Sequence, residues 1–286
     1  MSLSTGRDGG LMDGKRGLVV GIANDRSYAY FIAESLIRHG AECLFTHLPG
    51  DKMQRRCFRA IKDLGIDDPW LESMDAGSDE DLDRVFERIA RDFGRIDFLV
   101  HSIAFADKDW LKEGHFAATP REVFSMALDI SAYTYMAMAS RAAPLMCSGG
   151  SGKSRGSGDP GSSEPSGGGA MLAMSYYGAQ KAVPAYNVMG VAKAALESAA
   201  RYLAYELGPK NIRVNTISGG PLRTLSALAV GRFTEIAQWV EKKSPLGRNV
   251  RGAEVGETAA FLLSDLASGV TGQNIYVDCG YSMVGL

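Results

Sequence analysis

Gly17-Leu18-Val19-Val20-Gly21-Ile22-Ala23-Asn24-Asp25-Arg26-Ser27-Tyr28-Ala29 is the stretch that decides how the chain is read. The apolar run Gly17–Ile22 is short and a turn-like Asn24-Asp25 follows it, so it reads as a buried strand. Tyr28–Arg38 then reads as a helix, with Phe31, Ile32, Ser35 and Leu36 on or near one face and Gly40 as its cap. A strand that turns straight into a helix brings backbone close to a ligand and offers unpaired N–H groups to a pyrophosphate. The glycine-rich GxGxxG form is absent, because Ser27 and Ala29 stand where glycines are usual. Taken alone, the stretch serves a structural turn as well as a dinucleotide.

Working outward, the unit repeats. Strands are expected at Glu42–His47, Trp70–Met74, Asp97–Ser102, Ala170–Tyr176, Arg213–Ser218 and Asn274–Val277. Helices are expected at Asp51–Leu64, Ser78–Phe93, Arg121–Met146, Val183–Leu207 and Glu254–Ser264. Strands alternating with helices imply an α/β fold: one Rossmann-type, doubly wound domain of about seven parallel strands with helices on both faces. Residues 1–12 are polar and Gly-rich and read as a disordered leader, leaving 13–286 as the domain. Within it, 148–169 is almost all Gly, Ser and Pro and reads as a flexible insertion. Residues 218–245 carry more apolar side chains than a plain loop needs and read as a substrate lid, with an ordinary core helix as the rival reading.

The composition narrows the function. The chain has 286 residues, 45% hydrophobic and 22% charged, with a formal charge of −2. That suits one large core and offers no basic excess for nucleic acid. No apolar run is long enough to suggest a membrane span, and no signal peptide is visible. Cys43, Cys57, Cys147 and Cys279 are far apart without a CxxC pair. They read as reduced thiols in a cytoplasmic protein, with no metal site.

Tyr186 and Lys193 are seven apart on an expected helix, nearly two turns, so both side chains should share one face. An ammonium near a phenol favours its ionised form. Tyr176 ends a strand, where ligands sit in such sheets. An amphipathic surface Tyr and Lys and a core Tyr are the bland alternatives.

Gly21-x5-Ser27-x-Ala29, His101-Ser102-Ile103 and Tyr186-Asn187-Val188-Met189-Gly190-Val191-Ala192-Lys193 together resemble the bacterial enoyl-acyl-carrier-protein reductases, a divergent branch of the short-chain dehydrogenases. The resemblance runs from about Asp13 to the C-terminus, apart from the insertion. It implies hydride reduction of an enoyl thioester by NADH at the end of the fatty-acid elongation cycle. Tyr176, Tyr186 and Lys193 would be the catalytic residues, with Tyr186 supplying a donor to the thioester oxygen. The resemblance gives Gly21, Ala23, Ser27 and Tyr28 to the pyrophosphate side and Leu48 to the adenosine ribose. Asp75 and Ala76 would flank the adenine. Ser102, Ile103 and Ala104 would lie beneath the cofactor, Leu222 and Thr224 would embrace the nicotinamide, and Lys193 would meet its ribose. Ala106, Tyr176, Met189, Leu228 and Phe233 would touch substrate. The implied partners are an acyl-carrier protein and further copies of the chain in a homotetramer joined through Arg121–Met146 and Val183–Leu207. Carrier-facing cations are expected among Arg232, Lys242, Lys243 and Arg248.

A carbonyl reductase or alcohol dehydrogenase of the same fold is the alternative. Such relatives place a serine just upstream in the strand, where this chain reads Leu172-Ala173-Met174. A non-catalytic dinucleotide sensor is a third reading, disfavoured by the intact Tyr186/Lys193 pair. NADH is expected over NADPH because the second strand exits as Thr46-His47-Leu48-Pro49-Gly50-Asp51, with no permanent cation before Lys52. Arg55 and Arg56, a helical turn further on, are the reservation.

Overall fold

In the computed structural model, which describes residues 9–147, 167–224 and 232–285, seven strands form one sheet. They are β1 (Arg16–Val20), β2 (Glu42–His47), β3 (Leu71–Ser73), β4 (Phe98–His101), β5 (Gly169–Ser175), β6 (Ile212–Gly219) and β7 (Asn274–Val277). The order is β3-β2-β1-β4-β5-β6-β7 and every pairing is parallel. The chain winds outward from β1 in one direction and from β4 in the other, so a crevice opens between their carboxyl ends.

Both faces of the sheet are buried, which is why β1 reads as an unbroken apolar run. Val19 packs with Ile32 and Leu36 of α1 (Tyr28–Arg38) and with Val255 and Leu262 of a late helix. Leu18 and Val20 point the other way, into a second core with Leu82, Ile89, Tyr135, Met138 and Leu196. The helices that cover these faces are α2 (Asp51–Asp63), α3 (Asp79–Phe93), α5 (Thr134–Cys147), α6 (Asn187–Leu207) and α8 (Gly252–Leu263), while α4 (Arg121–Leu128) packs against α6 and α7 (Phe233–Lys243) precedes α8.

Most boundaries fall within one or two residues of expectation, the ordinary uncertainty of an element end. Three expectations need correction. The single helix over Arg121–Met146 is broken by a π-turn at Asp129–Tyr133. That wider turn aims two hydroxyls at the β4 exit: Ser131 accepts the Phe105 N–H at 3.0 Å, and Thr134 Oγ1 lies 2.8 Å from His101 Nε2. The helix expected from Val183 begins only at Asn187, because Ala185 adopts a left-handed φ of 62° directly after Pro184. Met12, assigned to the leader, is fully buried in the core, and its N–H donates to the His39 carbonyl at 2.9 Å.

Residues 1–8 of the leader and most of the insertion, 148–166, lie outside the described residues. Its last residue, Gly169, already belongs to β5. Of the lid, 225–231 lies outside the described residues, and Phe233–Lys243 is helix.

Candidate active site

The crevice at the carboxyl ends of β1, β4, β5 and β6 opens into a cavity of about 580 Å³. Gly21, Ala23, Ser27 and Tyr28 line one side and Ser102, Ile103, Ala104 and Ala106 the floor. Tyr176, Tyr186, Met189 and Lys193 form the far wall, and Leu222, Thr224 and Phe233 cover it. Leu48, Asp75 and Ala76 sit at the ends of β2 and β3, outside this lining. Ser78 caps α3, its hydroxyl accepting the Asp81 N–H, while the Asp75 carboxylate accepts the Gly77 N–H at 3.0 Å. Leu228 lies outside the described residues.

The turn after β1 has the shape a dinucleotide needs. Gly21 has a φ of 109°, and a Cβ there would lie 2.2 Å from the Ser102 carbonyl oxygen. Only glycine lets the β1 turn and the β4 exit approach so closely. Ser27 caps α1 by accepting the Tyr30 N–H, and its hydroxyl donates to the Asn24 carbonyl at 2.9 Å. The α1 N-terminus thus opens onto the cavity, and the residues present fit a pyrophosphate there. Tyr28, from the same turn, crosses the crevice and donates its hydroxyl to the Gly220 carbonyl.

Lys193 is buried, and its ammonium donates to the Met174 carbonyl at 2.7 Å. Burial lowers its pKa to about 8, with the Glu197 carboxylate opposing. Tyr186 departs from expectation. Burial raises its hydroxyl well above the ordinary tyrosine range, and Tyr176 and Tyr28 push the same way. The phenol therefore stays protonated, against the ionised form that a nearby ammonium would favour. A neutral phenol is a hydrogen-bond donor, which suits stabilising charge on a substrate oxygen. Nor does Tyr186 sit on the helix with Lys193; it occupies the turn just before α6.

The sequence reading gave several groups no role of their own. His101 is fully buried and its pKa is pushed down to about 3, by burial first and then by Lys193. Thr134 donates its hydroxyl hydrogen to the Ile130 carbonyl, so the neutral imidazole must donate from Nε2 to Thr134. Glu197, also buried, accepts from the Ser175 hydroxyl at 2.5 Å and from Asn274 at 3.1 Å. Ser175 lines the cavity too, but its hydroxyl hydrogen is committed to Glu197. Glu197 lies one turn beyond Lys193 on α6, a spacing that could have flagged it. Asn24, Leu111 and Ile236 also line the cavity. Among the described residues no cluster of three His, Cys, Asp or Glu could hold a metal.

Comparison with known proteins agrees with this geometry. The family model described as Enoyl-(Acyl carrier protein) reductase matches residues 21–153 and 162–282. Its gap falls within the Gly/Ser-rich insertion. The chain is 44% identical over 277 residues to the enoyl-acyl-carrier-protein reductase (NADH) 1 of Rhizobium meliloti (strain 1021), covering 97% of this chain and 93% of that one. It is 44% identical over 273 residues to the enoyl-acyl-carrier-protein reductase (NADPH) FabI of Staphylococcus aureus (strain MRSA252), covering 96% and 98%. Among solved structures, the Anaplasma phagocytophilum reductase in complex with NAD superposes with a TM-score of 0.86 at 41% identity, covering 98% of each chain. The Bacillus cereus reductase with NADP+ and indole naphthyridinone gives 0.87 at 42%, covering 97% of this chain and all (100%) of that one. The chain belongs to the enoyl-acyl-carrier-protein reductase family, an NAD(P)H-dependent branch of the short-chain dehydrogenases.

Proposed function

We propose that the protein reduces the trans-2 double bond of enoyl thioesters carried on an acyl-carrier protein, closing a fatty-acid elongation cycle. The observation that carries this reading is a neutral Tyr186 phenol and a buried Lys193 ammonium facing one cavity, with Tyr176 beside them. When bound, NADH supplies the hydride to C3 of the enoyl group. Gly21, Ala23, Ser27 and the α1 N-terminus hold the pyrophosphate, with Leu48, Asp75 and Ala76 toward the adenosine end. Ser102, Ile103, Ala104, Leu222 and Thr224 would hold the nicotinamide, and Lys193 would hydrogen-bond its ribose. Tyr186 donates to the thioester oxygen as negative charge gathers there. Tyr176, Ala106, Met189, Leu228 and Phe233 shape the acyl side.

NADH is the preferred cofactor on this reading. Asp51 opens α2 and would repel a 2′-phosphate, while Arg55 faces an outer groove with Phe58 and Arg59.

The carrier protein approaches the last turn of α7. Lys242 there is exposed, and Lys243 lies 5.1 Å from the Trp239 ring centroid. Arg232 and Arg248 suit the role less, because Glu113 and Glu235 engage the first and Glu254 the second.

The protein works as a cytoplasmic homotetramer. Exposed Phe124, Met126, Tyr133 and Met136 along α4, the π-turn and α5, and Tyr202 and Tyr205 on α6, supply the apolar surface for subunit contacts. Among the described residues no helix is long and apolar enough to cross a membrane.

The test is NADH absorbance in the presence of crotonyl thioester, then of simple ketones. Oxidation with the thioester and none with ketones supports the reading. The reverse pattern would establish a carbonyl reductase, and cofactor binding without turnover on either a sensor.

A further inference from the structure

Tyr186 sits between two residues with left-handed backbone, Ala185 at φ 62° and Asn187 at φ 43°. Alanine gains nothing from that conformation, and such strain persists only where the surroundings impose it. The Asn187 side chain shows what the turn accomplishes. Its amide Nδ2 donates to the Trp110 carbonyl and to the Lys112 carbonyl, each at 2.7 Å. These two bonds bracket Leu111. Leu111 is 3% exposed, lines the cavity, and packs in a small cluster with Val188, Met189 and Tyr186. The segment is otherwise a short 3-10 turn, Lys108–Trp110, with Lys108 and Lys112 on the surface or near it.

We propose that Asn187 is a positioning residue that pins Leu111, as part of the acyl-side wall, at a fixed distance from the Tyr186 hydroxyl. The left-handed turn carries the Asn187 amide off the helix axis toward the loop, and both amide hydrogens are spent on the carbonyls flanking Leu111. Asparagine suits this place twice over, since it tolerates left-handed backbone better than most residues and carries two donors on one nitrogen. The proposal rests on the functional reading above, because it takes Tyr186 as the group that meets the substrate oxygen.

Three variants separate backbone from side chain. Asn187→Asp keeps size and shape and removes both donors. Asn187→Gly removes the amide while adopting left-handed backbone freely. Asn187→Ala removes the amide and leaves the strain. KM and kcat would be measured with crotonyl-CoA, and NADH affinity by fluorescence titration. The expected result is a KM for crotonyl-CoA raised on the order of tenfold in all three, from the loss of loop-fixing hydrogen bonds. NADH affinity should stay within about twofold, the scale of an untouched site. Full activity in Asn187→Asp, recovery in Asn187→Gly alone, or a parallel loss of NADH binding would each overturn the proposal. A second readout needs no activity: trypsin cleavage after Lys108 and Lys112, followed by mass spectrometry. Faster cleavage in Asn187→Asp supports the pinning, and an unchanged rate contradicts it. A wild-type protein inactive on crotonyl-CoA would sink the functional reading and leave this structural arm standing.

Discussion

The rings of Tyr176 and Tyr186 meet edge to face, with centroids 4.9 Å apart and planes at 66°. Tyr176 comes from the residue after β5 and Tyr186 from the turn before α6. Such a contact contributes about 1 kcal/mol beyond burial, and it orients both phenols in one wall. Tyr176→Phe should keep the ring contact and leave the melting temperature within a degree or two, for a change of well under ~1 kcal/mol. Tyr176→Ala should lower kcat/KM for the enoyl thioester by roughly tenfold or more, through a cavity beside Tyr186. Thermal melts and steady-state kinetics check both; wild-type kinetics in Tyr176→Ala would remove Tyr176 from the site.

Lys193 should impose a basic limb on the pH profile. Its pKa in the folded protein is lowered to about 8 from the ordinary lysine value of 10.5, because burial penalises the ammonium. The charged form therefore prevails below pH 8 and is lost as pH rises through it. The expected outcome is a kcat/KM that falls above about pH 8. Lys193→Ala should lose both turnover and NADH affinity and show no such limb. A flat wild-type profile to pH 10 would contradict the assignment.

Much of this site was legible in the sequence. The β1 run, its turn and α1 carry short-range signals: an apolar stretch, a turn pair and a helical period. Tyr186 and Lys193 were findable from spacing. Their setting was not. The protonation of Tyr186 depends on its burial in the folded crevice, with Tyr176 and the sequence-distant Tyr28 pushing the same way. The π-turn before α5 depends on partners at His101 and Phe105, and helical periodicity continues straight through it. Glu197 reads as a polar position on α6, yet the structure buries it against Ser175 and Asn274.

The Gly/Ser-rich segment should be dispensable. Its flanks already meet: a Cβ on Gly167 would lie 2.9 Å from the Cys147 carbonyl oxygen, and Gly168 donates to the Met146 carbonyl at 3.0 Å. A short turn can therefore join α5 to β5. Replacing residues 148–166 by such a turn should leave activity and melting temperature nearly unchanged, since shortening a long loop costs little. A large fall in either would show that the segment makes contacts the catalytic domain needs.

Cofactor choice follows from the β2 exit. Comparing kcat/KM for NADH and NADPH at one pH and salt should favour NADH, because Asp51 and not a cation opens α2. A preference for NADPH would reverse this and implicate Arg55 or Arg56. Replacing the responsible arginine by alanine should then restore NADH.

Tyr186→Phe tests the central claim most directly, because it removes one hydroxyl and keeps the ring. At saturating NADH and crotonyl thioester, kcat should fall roughly 100-fold, the scale of losing a transition-state donor. NADH affinity, measured by fluorescence titration on the same protein, should stay unchanged. A Tyr186→Phe enzyme that turns over at the wild-type rate would contradict the account.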